Sequence, residues 1–73
     1  MSKAHQSVRA IRLDQFLKFV GLAPTGGQAK LMVLAGDVMV NGEVEMRRTH
    51  KLVPGDKVTV HGQTVTVQLD RDP

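Results

Sequence analysis

A chain of 73 residues, 41% of them apolar and none of them cysteine, is expected to form one small domain around a single thin core. That leaves little volume for a deep pocket, and it excludes disulfides and thiolate metal sites. The net charge is +3 with a pI near 9.8, and the excess is uneven: residues 1–11 carry +2, residues 12–51 carry +2 and residues 52–73 carry −1. A basic imbalance on a small domain points to a polyanionic partner, although chance alone produces it often. The longest apolar run, Leu31 to Ala35, is far short of the roughly 20 residues of a membrane span. The polar N-terminal stretch has no apolar segment of the signal-peptide kind. The expected setting is the cytoplasm, without a membrane partner.

Residues 1–11 read as a mobile arm. The first helix is predicted from Arg12 to Val20, because Leu13, Phe16, Leu17 and Val20 recur at i, i+3, i+4 and i+7. Asp14 and Lys18 stand four apart on the polar side as a helix-supporting pair, and Gly21 suits the stop. Phe19 lies off the apolar stripe. It either closes the edge of the core, the commoner role, or offers a face for base stacking.

After the connector Leu22-Ala23-Pro24, Thr25 is a good N-cap for a second helix, with Gln28 three residues on as in a capping box. This helix runs to Ala35 and stops at Gly36. Gly26 and Gly27 weaken its first turn slightly. They either permit a close helix–helix turn or leave backbone amides open as a phosphate nest.

From Asp37 the period becomes two. Val38 and Val40, then Asn41-Gly42, then Val44 and Met46 predict a hairpin, since a type I′ turn requires positive φ at both central positions. The basic run Arg47-Arg48-Thr49-His50-Lys51 follows, and Leu52-Val53-Pro54-Gly55-Asp56 reads as a turn. Val58 and Val60, the connection His61-Gly62-Gln63, and Val65, Val67 and Leu69 predict a second hairpin, with residues 70–73 as a frayed tail. The fold class is α+β: two N-terminal helices packed on a small, mainly antiparallel twisted sheet of four to five strands, with the folded domain spanning 12–69.

Four segments in order, Arg12-Leu13-Asp14-Gln15-Phe16-Leu17-Lys18, Gln28-Ala29-Lys30, Gly36-Asp37-Val38-Met39-Val40-Asn41-Gly42 and Lys51-Leu52-Val53-Pro54-Gly55-Asp56, resemble the S4 RNA-binding domain, whose core is also called the αL motif. The resemblance covers about Arg12 to Val60. Gly26-Gly27-Gln28-Ala29-Lys30 and Glu45-Met46-Arg47-Arg48 with Lys51-Leu52 look most like the compact, stand-alone bacterial members of the YbcJ/YaaA type.

The resemblance implies a helix–helix–hairpin unit whose basic surface holds folded RNA. Domains of this family occur in ribosomal proteins, on tRNA synthetases and pseudouridine synthases, and in ribosome-associated factors. By that resemblance Arg12 matches the basic residue opening the first helix and Lys30 the basic residue of the second. Asn41-Gly42 matches the hairpin tip, and Arg47, Arg48 and Lys51 the basic segment after it. Gly26 departs from the family, where Arg or Lys is common.

The candidate RNA-binding set is therefore Arg12, Lys18, Gly26, Gly27, Lys30, Asn41, Arg47, Arg48 and Lys51. Arg47 and Arg48 offer planar forks that match phosphate oxygens bidentately. The counter-reading for the lysines is an ordinary solvated surface, and Lys18 has Asp14 as a competing partner. Arg12 serves equally well as a structural residue at the helix start. His50 is either a minor added charge or a polar surface residue.

No catalytic grouping, metal-ligand spacing, phosphate loop or dinucleotide glycine pattern is present, so no enzyme, cofactor, metal or small-molecule substrate is expected. With two aromatic residues, recognition is expected to rest on phosphates and shape. The expected partner is structured RNA, ribosomal or transfer, in or beside ribosomal particles. The rival is a protein-interaction adaptor on a larger, ribosome-associated complex that pairs through a sheet edge. Convergence of Lys30, Arg47, Arg48 and Lys51 on one face separates the two.

Overall fold

The computed structural model describes residues 10–68; the expected arm up to residue 9, Leu69 and the expected frayed tail lie outside them. The order is β1 (Ile11–Arg12), α1 (Leu13–Phe19), α2 (Gly26–Leu34), β2 (Val38–Val40), β3 (Glu43–Val44), β4 (Lys51–Leu52), β5 (Lys57–Val60) and β6 (Gln63–Thr66). This is the expected α+β class, with one difference: the strands form two sheets, a four-stranded antiparallel sheet in the order β3-β2-β5-β6 and a separate pair, β1-β4. Ile11, which the sequence assigns to the arm, pairs with Leu52.

The helices form where the apolar stripe and the caps agree. Leu13, Phe16 and Leu17 of α1 are buried, and Val20 packs against them. Thr25 caps α2, its Oγ1 accepting from the Gln28 amide at 3.1 Å. The C-terminal end of α2 closes as a Schellman motif. Gly36 takes φ +80°, its amide donates to the Val33 carbonyl at 3.1 Å, and that of Asp37 donates to the Met32 carbonyl at 3.1 Å. Ala29 and Val33 face the core, while Leu31 and Leu34 face outward.

Both hairpins turn on two residues with positive φ, Asn41 at 53° with Gly42 at 87°, and His61 at 50° with Gly62 at 84°. That geometry suits the strand twist. In the second hairpin Val58, Val60 and Val67 are buried and Val65 packs on the core, as the alternation requires. Thr59 and Thr64 pair on the outer face, hydroxyl to hydroxyl at 2.9 Å.

The first hairpin departs from the expected alternation. Val44 pairs with Met39, and β2 turns Val38 and Val40 inward, so the register sends Val44 to the outer face. Val44 is 53% exposed and Met46, beyond the end of β3, is 50% exposed.

The core between helices and sheet is built from Leu13, Phe16, Leu17, Ala29 and Val33 on one side and Val38, Val40, Val58 and Val60 on the other, with Leu52 among them. From residue 41 to residue 57, Leu52 is the single buried side chain. That one contact anchors the whole basic segment to the core.

Candidate nucleic-acid interface

The segment 45–51 has almost no regular structure, yet polar bonds fix it at both ends. Its carbonyls cap α1: the Leu13 amide donates to the His50 carbonyl at 2.8 Å and the Asp14 amide to the Arg48 carbonyl at 3.0 Å. Amides that a helix N-terminus leaves unpaired are thus satisfied by the basic run itself. Within the run, Glu45 accepts from the Arg47 amide at 3.0 Å, lies 3.3 Å from His50 Nδ1, and lies 3.6 Å from Arg47 Nε. The Arg47 amide, with the His50 and Arg47 charges, outweighs the upward push of burial and holds the Glu45 carboxyl below its ordinary range.

The centre of the cluster is Asp14. The sequence places it on the polar side of α1, paired with Lys18; instead it is 6% exposed. Its carboxylate accepts from Arg12 Nε at 3.1 Å, Arg12 Nη2 at 3.3 Å, Arg48 Nη1 at 3.2 Å and the Gln15 amide at 2.8 Å. The physical reason is energetic. An exposed i, i+4 pair stabilises by about 0.2–0.5 kcal/mol, whereas two guanidinium partners and a backbone amide give charge-assisted bonds of greater strength. Lys18 is left exposed and without Asp14.

Burial pushes the Asp14 carboxyl up, but the bonds and charge of Arg12, the Gln15 amide and Arg48 together hold it below the ordinary carboxylate range. A carboxylate with a lowered folded-state pKa adds stability that is present in full above its unfolded value, about pH 4, and is lost as pH falls through the folded value. In an acid titration followed by circular dichroism, Asp14→Asn should therefore narrow its stability deficit relative to the natural chain as pH drops below about 4. A deficit that stays constant from pH 7 to pH 2 would contradict this assignment.

Backbone pairing completes the cluster. Arg12 and Lys51 are cross-strand partners in the β1-β4 pair, so Arg12, Arg48 and Lys51 are brought together through Asp14 and the strand register, with Arg47 adjoining. Arg47 is the most open of the described arginines, its side chain 75% exposed, against 42% for Arg12 and 44% for Arg48. Four cations stand against the carboxylates of Asp14 and Glu45, leaving the cluster two charges positive.

The remaining candidates are not bonded into this cluster. Lys30, Gly26 and Gly27 are exposed on α2, which packs on α1; among the described residues Lys30 shares no hydrogen bond or ion pair with the arginine cluster. A Cβ at Gly26 would meet open space, and at Gly27 only the Thr25 hydroxyl at 3.8 Å, so a close helix–helix approach does not account for these glycines. Asn41 stands at the hairpin tip, but both ends of its amide are engaged. Nδ2 donates to Asp56 at 3.1 Å and Oδ1 accepts from the Lys57 amide at 2.9 Å.

Phe19 does not close the edge of the core. It is 78% exposed and lines a shallow depression of about 420 Å³ with Ile11, Gln15 and Lys18. A second depression, about 520 Å³, includes Lys51 and His50 but also Glu43, Glu45 and Asp56, and these carboxylates make it a poor seat for an anion. Among the described residues no His, Asp and Glu side chains group to hold a metal ion. None of their helices is long and apolar enough to cross a membrane.

Three roles escaped the sequence: Asp14 as the hub, Glu45 as the organiser of the loop, and β1-β4 as the frame. The partners involved are up to 41 positions apart, and no local period announces them.

Comparison with known proteins agrees with this architecture. The family model described as S4 domain matches residues 5–68. The "Putative RNA-binding protein YbcJ" of Escherichia coli (strain K12) is 39% identical over 57 residues, which cover 78% of this chain and 81% of that one. The "Probable ribosome maturation protein RlbA" of Bacillus subtilis (strain 168) is 42% identical over 52 residues, covering 71% and 73%. The small ribosomal subunit protein uS4 of Flavobacterium psychrophilum is 38% identical over 61 residues, 82% of this chain but 30% of that one. With the family's pattern matched along almost its whole length, on the helices and hairpins just described, the chain belongs to the S4 domain family.

Proposed function

We propose that this protein is a non-catalytic RNA-binding module that docks on structured RNA, ribosomal or transfer RNA, through the surface formed by Arg47, Arg48 and Lys51. The observation that carries the reading is that Arg12 and Arg48 share the Asp14 carboxylate, with Lys51 opposite Arg12 in the strand pair and Arg47 next to Arg48 in the chain; Lys30, which the sequence expects on the same face, is not bonded into this group. A run of basic residues held by its own backbone on a helix end is a shaped cationic surface, and shape with phosphate contact is how folded RNA is recognised. Lys30 and Lys18 add charge from the helices, Gly26 and Gly27 present the first turn of α2 to the backbone, and Asn41 sets the hairpin tip. Phe19, the one exposed ring of the two aromatic residues, is open to an unpaired base.

The name of the Bacillus subtilis relative, a ribosome maturation protein, supports a place on or beside ribosomal particles, and a cytoplasmic setting is part of the same proposal. In competition anisotropy at fixed salt, unfractionated transfer RNA or a small-subunit ribosomal RNA fragment should displace a labelled folded RNA at least tenfold more effectively than duplex DNA of equal phosphate content. Equal displacement by duplex DNA would reduce the surface to a general polyanion binder.

A further inference from the structure

The two arginines bonded to Asp14 do not use the same part of the guanidinium. A guanidinium meets two oxygens of a carboxylate or phosphate at once either side-on, through Nε and Nη2, or end-on, through its two Nη groups. Arg12 spends the side-on edge on Asp14, with Nε at 3.1 Å from Oδ1 and Nη2 at 3.3 Å from Oδ2. Arg48 reaches Asp14 through Nη1 alone, at 3.2 Å. Its Nε and Nη2 bond to no described residue, and its side chain is 44% exposed.

The carboxylate that holds both is itself locked. Its side chain is 8% exposed, it accepts from the Gln15 amide at 2.8 Å, and its own amide donates to the Arg48 carbonyl at 3.0 Å. Arg48 is therefore tied to α1 at its backbone and at the far corner of its side chain, with the side-on edge turned elsewhere.

Resting on the RNA-binding reading above, we infer that Asp14 is a positioning residue: it presents the Nε/Nη2 edge of Arg48 to one RNA phosphate, while Arg12 is a strut whose own side-on edge is already taken by Asp14. A long side chain that would otherwise sample many rotamers is ordered before the RNA arrives, so binding does not bear that ordering cost. The same geometry separates the roles of the two arginines, and for Arg12, which the sequence leaves open between phosphate contact and a structural place at the helix start, it favours the structural one.

The inference has an unusual sign. Asp14→Asn removes a negative charge from the middle of the cluster, and charge counting alone makes RNA binding tighter. Positioning makes it weaker. With unfractionated transfer RNA as the probe, the expected result for the whole chain is a three- to tenfold weaker affinity, about what prior ordering of one side chain is worth. In an Arg48→Ala background, Asp14→Asn should no longer weaken binding and should show only the tightening that comes with the lost negative charge, because there is no fork left to aim.

Arg48→Lys keeps the charge and is compatible with the fold. It should lose most of the affinity that Arg48→Ala loses, since an ammonium cannot make the side-on pair. Tighter or unchanged binding by Asp14→Asn would overturn the inference and make Asp14 a competitor for the arginine. An equal loss in both backgrounds would overturn it in favour of a general effect on folding. Full retention by Arg48→Lys would overturn it as well. If Arg48→Ala binds as the natural chain does, the RNA surface itself is misplaced, a failure distinct from the others.

Discussion

Leu52→Ala should destabilise the domain by about 2–5 kcal/mol, the range for truncating a fully buried leucine. A domain of this size has about 4–11 kcal/mol in total, so the melting temperature should fall by roughly 10–30 °C. The effect is expected to be this large because of where Leu52 sits. It is 0% exposed, it pairs with Ile11 in the small β1-β4 sheet, and it is the single buried side chain between residues 41 and 57. Removing it opens a cavity and releases the strand that carries Lys51.

Val53→Ala, one position on, alters a side chain that is 49% exposed and should change stability by less than about 0.5 kcal/mol. Thermal unfolding of the two variants followed by circular dichroism checks both. Similar melting temperatures for them would show that β4 is not the anchor described above.

The parts of the fold that were legible in the sequence are those with a local cause. The stripe Leu13, Phe16, Leu17 and Val20 announced α1 through its period, Thr25 marked the start of α2 and Gly36 its end. Asn41-Gly42 announced the first hairpin because its turn demands positive φ, and the second was legible from the alternation around His61-Gly62-Gln63, although the turn itself is only His61-Gly62 and Gln63 already belongs to β6. Two-residue strands have no period, which is why β1 and β4 were invisible as strands. The direction of Val44 depended on which residue of β2 it meets, a register fact that alternation within one strand cannot supply.

The candidate site was legible as chemistry more than as geometry. The basic residues and the family likeness pointed to Arg47, Arg48 and Lys51 together. The sequence misread Asp14, since a helix rule that looks four residues ahead finds Lys18, whereas the real partners are Arg12, two positions back and outside that rule, and Arg48, 34 positions away. Asn41 was rightly set at a hairpin tip, but its engagement with Asp56 and Lys57 is equally non-local. Phe19 went the opposite way: single exposed aromatic side chains are uncommon enough that burial was the better expectation, yet α1 turns this one outward.

The second large effect concerns the RNA surface. Arg47→Ala/Arg48→Ala removes the most open of the described arginines and the one whose fork is free, so it should cost two phosphate contacts without touching the core. Each contact releases about one counterion, so two are worth roughly tenfold to a hundredfold in affinity at 0.1 M salt. Lys51 and Lys30 remain in the variant, and binding should weaken without vanishing.

The direct measurement is fluorescence anisotropy with transfer RNA and ribosomal RNA fragments, titrated with salt, for the natural chain and this variant. About four to five phosphate contacts give a log–log slope of roughly −3 to −4 for the natural chain, flattened by one to two in the variant. No binding at low salt, or binding indifferent to both arginines, would contradict the RNA surface proposed here.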